Sequence, residues 1–165
     1  AAPAILVGTE VPRRFTPRQQ RFLYARALAH VRRGTHAVAA MPAERLGSLL
    51  GELVRLAAPA GTDFGRLPPT DAAFAELFPR QIGSEARARL APLATRAAAE
   101  MPASFEDLRL GIRESAERAG MAVCADPAAA ISIVAAEGQG TLERAEVAQL
   151  VRFAVSETYL SLRSK

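Results

Sequence analysis

The sequence has few cysteines, which form disulfide cross-links, and few aromatic residues, which fill the cores of small proteins. It contains one cysteine, no tryptophan, seven phenylalanines and two tyrosines among 165 residues. A single cysteine excludes an internal disulfide framework and a zinc site built from several thiolates. No apolar run approaches the ~20 residues that cross a bilayer. We therefore expect a soluble protein with no membrane partner, and separately we expect it to be cytoplasmic.

Alanine dominates the composition instead. The chain has 36 alanines, and half of its residues are hydrophobic. Such a composition suits closely packed helices better than a β-sandwich, because alanine favours helices and strands favour branched and aromatic residues. The length is near the ~150 residues of one domain. We predict a mainly all-α fold: one compact domain over residues 1–165, with about seven helices and at most one short N-terminal strand. Because the chain begins with alanine rather than methionine, we expect it to be part of a longer protein.

The positive charge comes almost entirely from arginine. Of the 21 basic residues only Lys165 is a lysine, and the formal net charge is +4. Nucleic-acid interfaces normally gather such charge in one stripe and interleave it with aromatic residues that stack on bases, and neither pattern occurs here. A basic nucleic-acid-binding module is therefore an alternative rather than the leading hypothesis. The arginine pairs that would contact phosphates are Arg13–Arg14, Arg32–Arg33 and Arg87 with Arg89.

One helix is predicted with well-defined ends. Thr16 and Gln19 form a capping box with proline at the first helical position, and Gly34 is a natural stop, so a helix should cover 17–33. Its residues Phe22 and Ala29 are predicted to be buried. The apolar run 4–7 predicts a short strand. Further helices are predicted from Pro42 to before Pro59, from Thr70 or Asp71 to about Phe78, from Ser84 with a kink or break at Pro92, from Ser104 to a stop at Gly120, from Pro127 to near Gly138, and from Thr141 through Leu160.

Few residues point to catalysis. The sequence has no phosphate-binding glycine motif and no nucleophile elbow. His30 and His36 are six residues apart across Gly34, a spacing that allows convergence on a metal, but zinc normally takes three or four protein ligands. Cys124 lies in an apolar stretch, which predicts a buried and unreactive thiol.

Two segments together resemble a family of zinc peptidases. Residues 21–30, RFLYARALAH, resemble the zincin helix of the type F-x-x-x-H-E-x-x-H. Residues 114–120, ESAERAG, followed by DPAAA at 126–130, are similar to the second conserved segment of the gluzincins, the family that includes the CAAX-prenyl proteases and the heat-shock integral-membrane peptidases.

The resemblance implies a site that has lost its metal. The first zinc ligand falls on Arg26, the general base on Ala27 and the second ligand on His30. The third ligand falls on Arg113, and the acidic position of the second segment is Glu117. One histidine cannot hold zinc, so the resemblance implies an inactive pseudo-peptidase with no catalytic residue and no cofactor. Such degenerate domains follow tetratricopeptide repeats in long bacterial proteins, which implies an upstream helical-repeat domain or another protein as partner.

This hypothesis makes a geometric prediction. The helix at 17–33 and the helix at 105–119 should pack side by side, with Arg26, His30, Arg113 and Glu117 pointing towards one another. Buried arginines need acidic partners, so we expect an Arg26–Glu117 or Arg113–Glu117 ion pair, with Glu114 as the alternative carboxylate and His30 neutral.

Under a second hypothesis the protein is an enzyme. A metal-dependent hydrolase would require His30 and His36 to form an unorthodox metal site with Glu114 or Glu117.

Overall fold

Every regular element in the described part of the chain is a helix. The computed structural model describes residues 4–65, 67–102, 104–137 and 141–164, with the backbone alone at 141–144. These ranges contain nine helices and no strand, which confirms the all-α prediction. The helices are α1 (Val11–Arg14), α2 (Pro17–Arg33), α3 (Ala43–Ala57), α4 (Ala72–Gln81), α5 (Ser84–Ala99), α6 (Phe105–Cys124), α7 (Pro127–Glu137), α8 (Thr141–Ala154) and α9 (Glu157–Arg163).

The predicted strand at 4–7 is wrong. These residues have no regular structure, and Leu6 is 95% exposed. A strand needs a neighbour to satisfy its backbone N–H and C=O groups, and the described residues include no second strand. An apolar run without a pairing partner therefore stays irregular.

The predicted boundaries of α2 are confirmed. Thr16 accepts from the backbone of Gln19, whose side chain accepts from the Thr16 backbone in return. At the other end, Gly34 has φ 68°, the left-handed conformation that glycine adopts without strain. Local chemistry alone decides both ends of this helix.

Other predicted boundaries are wrong. Helix α5 continues through Pro92, so the predicted break is wrong, while the predicted kink there stays a prediction. Pro92 and Ala88, whose carbonyl loses its donor, are both exposed, so water can replace the lost hydrogen bond. Its N-cap is Gly83 rather than Ser84. The last predicted helix is divided near Val155, because Ser156 accepts from the backbone of Tyr159 and starts a new helix.

Gly120 is not the end of α6, which continues to Cys124. A Cβ built on Gly120 would lie 2.9 Å from Cδ2 of Phe22 and 3.0 Å from its carbonyl oxygen. The glycine is therefore needed for the close approach of α2 and α6 rather than for a helix stop. The helix instead ends before Ala125, which has φ 60°.

Contacts between Cα atoms divide the chain into two compact units. The first unit comprises Ala1–Ala40 with Leu110–Lys165, and the second unit is Met41–Arg109. Helix α6 crosses the boundary, with residues 105–109 in the second unit. The prediction of a single domain stays a prediction.

The core of the first unit lies around Phe22, which is fully buried. The side chains packed with it come from α6, α7, α8 and α9. Ala29, in contrast, is only half-buried, so the prediction of its burial is wrong. It lies nearly two turns beyond Phe22, where the surface of α2 begins to open. The buried residues of this core are Phe22, Met121, Cys124, Ala130, Ile133, Val134, Leu150 and Tyr159.

Small side chains fill the core of the second unit. Val54 and Ala57 of α3 pack with Ala94 and Ala98 of α5. The same unit holds a partly buried ion pair in which Nη1 of Arg55 donates to Oε1 of the buried Glu52 over 2.6 Å. Alanine thus lets α3 and α5 pack closely, as its abundance predicts. Within the described ranges, no helix combines the length and the apolar character that a bilayer crossing requires.

The packing of Phe22 against Gly120 predicts the effect of one methyl group. We expect Gly120→Ala to lower the free energy of unfolding by about 1–3 kcal/mol, because the added carbon overpacks the contact. Gly111→Ala is the matched control in α6: no atom lies within 4 Å of its Cβ position, so the better helix propensity of alanine should stabilise by about 0.5–1 kcal/mol.

A double-mutant cycle in urea unfolding isolates the contact. Phe22→Ala alone should cost about 3–5 kcal/mol, and Gly120→Ala should cost less in that background than in the wild type. Equal costs in the two backgrounds would show that the added carbon does not meet the Phe22 ring.

Candidate functional site

Arg113 connects two buried carboxylates inside the first unit. Its Nε donates to Oε1 of Glu117 over 3.0 Å, and its Nη1 lies 2.9 Å from Oε1 of Glu146 in α8. Glu117 is 1% exposed and Glu146 is 4% exposed. Arg113 and Glu117 are four residues apart and share one face of α6. The predicted Arg113–Glu117 ion pair is therefore present.

Arg26 lies near the same cluster but has a different direct partner. Its two terminal nitrogens donate to both carboxylate oxygens of Glu137, each over 2.6 Å. Its guanidinium also lies 5.2 Å from the ring centroid of Phe22. Burial opposes the charged form, but the hydrogen bond to Glu137 and the nearby charges of Glu137, Glu117 and Glu146 raise the pKa of Arg26. The predicted Arg26–Glu117 pair is thus replaced by Arg26–Glu137.

Burial raises the pKa of Glu117 above its ordinary value, although the charge and hydrogen bond of Arg113 act in the opposite direction. The charge of Glu146 raises it further, and that of Arg26 lowers it. Oε2 of Glu117 has no hydrogen-bond partner among the described residues. One oxygen is therefore paired while the other is buried without a donor.

His30 is hydrogen-bonded, as predicted, and its lowered pKa favours the neutral imidazole. Its Nδ1 lies 3.0 Å from the hydroxyl of Thr35. Burial lowers its pKa below the ordinary 6.5, and the charges of Arg26, Arg33 and His36 add to this effect. Ala27 is half-buried and carries no group that could act as a base.

The described residues give the metal hypothesis no ligand set. Among them, no group of three His, Cys, Asp or Glu side chains could hold a metal ion. His36 is exposed, and Glu114 pairs with Arg118 over 2.9 Å. The guanidinium groups of Arg26 and Arg113 form ion pairs with the carboxylates that a metal cation would need as ligands. The cluster therefore neutralises charge.

Sequence reasoning missed Glu137 and Glu146. Glu146 had a detectable signal, because it precedes Leu150 by four residues and therefore falls on the apolar face of α8. Leu150 is buried. A carboxylate on such a face requires a positive partner. Glu137 carried no comparable signal, since it lies at the exposed end of α7.

Two predicted features have structural roles here. Cys124 is buried, with its thiol 3.4 Å from the carbonyl oxygen of Met121, and burial raises its pKa. Its burial is confirmed, and its low reactivity stays a prediction. Arg87 donates to the carbonyl oxygens of Pro79 and Ile82, at the end of α4.

Removal of the Arg113 guanidinium should strand two buried carboxylates. We expect Arg113→Met to lower the free energy of unfolding by about 3–5 kcal/mol. Arg118→Met is the control, since it removes the half-exposed i, i+4 pair with Glu114 on the same helix and should cost about 0–1 kcal/mol. Urea unfolding of both variants, and of Arg113→Met with Glu146→Gln, measures the effect. The double variant should recover part of the loss, and no recovery would contradict the bridging role of Arg113.

The raised pKa of Glu117 predicts how stability depends on pH. The folded protein keeps a proton that the unfolded chain releases near the ordinary pKa of 4.5. This contribution to stability is complete below 4.5 and is lost as pH rises through the raised value. Glu117→Gln removes the titration, so stability of the wild type relative to this variant should fall as pH increases from 5 to 8. His30 titrates in both proteins and cancels. A relative stability that is constant or rises with pH would contradict the prediction.

No protein-family model, curated protein or solved structure significantly matches the chain. The resemblance to gluzincins therefore depends on the two sequence segments alone and stays a prediction. The charged cluster of the first unit comprises Arg26, Arg113, Glu117, Glu137 and Glu146.

Proposed function

We propose that this chain is a non-catalytic protein-interaction domain, a pseudo-peptidase of gluzincin type in which ion pairs stand where the zinc site would be. The observation that supports this most strongly is the position of Arg113 between Glu117 and Glu146. Arg113 is also the residue on which the resemblance places the third zinc ligand.

Electrostatics oppose a metal at this position. A zinc ion carries two positive charges and takes three or four protein ligands. Here both carboxylates nearest the centre are already paired with Arg113, and Arg26 adds a second positive charge that acts on both of them. A dication would have to displace a guanidinium that already satisfies the buried charges, so the cluster favours the metal-free state.

The position of the general base also carries no group that could accept a proton from water. In zinc peptidases of this type the glutamate of the H-E-x-x-H helix is the general base, and the corresponding position is Ala27. Glu117 is 1% exposed, so it cannot activate a water molecule at the surface. What such a domain can offer is a stable helical scaffold, with another protein or a helical-repeat domain of the same protein as its partner.

Zinc binding by the full chain tests this proposal. We expect isothermal titration calorimetry to show no stoichiometric binding of zinc, and we expect no peptidase activity on unfolded casein with zinc present. Stoichiometric binding by the wild type would overturn the proposal in favour of the metal-hydrolase hypothesis.

A restored variant tests the gluzincin resemblance separately. Arg26→His, Ala27→Glu and Arg113→Glu together recreate the three ligands and the base. If the resemblance is right, the folded triple variant should bind zinc while the wild type does not. Circular dichroism checks its folding, and a folded variant that binds no zinc would contradict the resemblance.

A further inference from the structure

A shallow apolar groove opens between α2 and α6 of the first unit. Its volume is about 480 Å³, and its lining includes three small side chains, those of Ala25, Ala29 and Ala119. Leu28 and Val123 also line it, and they are 56% and 64% exposed. Aliphatic side chains with such high solvent exposure around a concave surface are typical of interaction sites.

Arginines line one part of this groove and also line a neighbouring cleft. Arg32 and Arg33 line the groove itself. The second cleft, of about 610 Å³, shares Arg33 and Ala119 with it and adds Arg118 and Arg152. No aspartate or glutamate is among the described residues that line either opening. Positive charge is therefore concentrated beside the apolar surface.

These arginines differ from those of the interior cluster. Within the described ranges, neither Arg33 nor Arg152 forms an ion pair, and the nearest bond of Arg152 is to the carbonyl oxygen of Ala148, 3.3 Å away. Arg118 pairs with Glu114 but stays 40% exposed. Arg33 and Arg152 thus keep their charge available for a ligand.

We infer that this surface binds an acidic amphipathic helix of a partner protein, with its apolar face in the groove and its carboxylates against the arginines. The inference deepens the proposed function, on which it rests, by stating the chemistry of the partner. Helix-in-groove recognition uses apolar side chains at i, i+3, i+4 and i+7. The alanines of the groove allow a third helix to approach α2 and α6 closely, and charge complementarity decides the sign of the partner.

An acidic amphipathic helix matches both the apolar groove and the arginine cleft, and other anionic ligands match only one of them. Nucleic acid would match the arginines but not the exposed aliphatic residues. No aromatic side chain lines the groove, and Phe153, which lines the arginine cleft, packs edge-on against Tyr159 rather than standing free for base stacking. A small phosphorylated molecule would use the arginine cleft alone and leave Leu28 and Val123 without a contact.

A designed peptide can test the inference with the full chain. The probe is a fluorescent 18-residue helix of leucine, alanine and glutamate, with leucine at i, i+3, i+4 and i+7, and its glutamates are replaced by lysine in the control peptide. We expect saturable binding of the acidic peptide by fluorescence anisotropy. Arg33→Glu and Arg152→Glu should each weaken binding at least tenfold, whereas Arg14→Glu, the same charge change at the end of α1 and before the start of α2, should have little effect.

The apolar contribution needs its own variant. Leu28→Ala should weaken binding about tenfold, and Leu93→Ala is the matched control, because Leu93 is 58% exposed in the second unit. Binding that fails to saturate, equal weakening by Arg14→Glu, or no effect of Leu28→Ala would each overturn the inference. So would equally tight binding of oligothymidylate or pyrophosphate with the same dependence on Arg33. Zinc calorimetry decides the metal-free state independently, so failure here is distinguishable from failure of the proposed function.

Discussion

The close approach of Phe22 to Gly120 sets the geometry of the first unit. The ring and backbone of Phe22 leave no room for a side chain at position 120, so this contact fixes how α2 and α6 lie against each other. Arg26 follows Phe22 by four residues, and Glu117 precedes Gly120 by three, so both are about one turn from the contact. The position of the charged cluster is therefore a consequence of an apolar contact.

The cluster would be unstable without partners from other helices. Burying a carboxylate costs several kcal/mol unless it is paired, and α6 alone offers one arginine for Glu117. Arg113 is shared with Glu146 of α8, and Arg26 of α2 bonds to Glu137 of α7. Four helices thus contribute to two neighbouring ion-pair groups, and loss of either arginine leaves a carboxylate without its positive partner.

Arginine has two distinct uses in the first unit. Inside, Arg26 and Arg113 are neutralised by carboxylates and hold helices together. At the surface, Arg33 and Arg152 lie beside exposed aliphatic side chains, and no acidic side chain lines their cleft among the described residues. Each arginine adds one positive charge to the net charge of +4, whether it is paired in the interior or exposed at the surface. The net charge therefore does not distinguish a structural arginine from one available to a ligand. The placement of carboxylates makes this distinction.

The sequence by itself determined the helical class and the ends of α2, because the capping box at Thr16 and the glycine at Gly34 act within a few residues of the chain. It also determined the Arg113–Glu117 pair, since residues four apart share a helix face. Tertiary structure alone decided that Gly120 is a packing position and that residues 4–7 find no strand to pair with. It also selected Glu137 rather than Glu117 as the partner of Arg26. These outcomes depend on side chains that are distant in sequence, and local patterns carry no information about which distant groups meet.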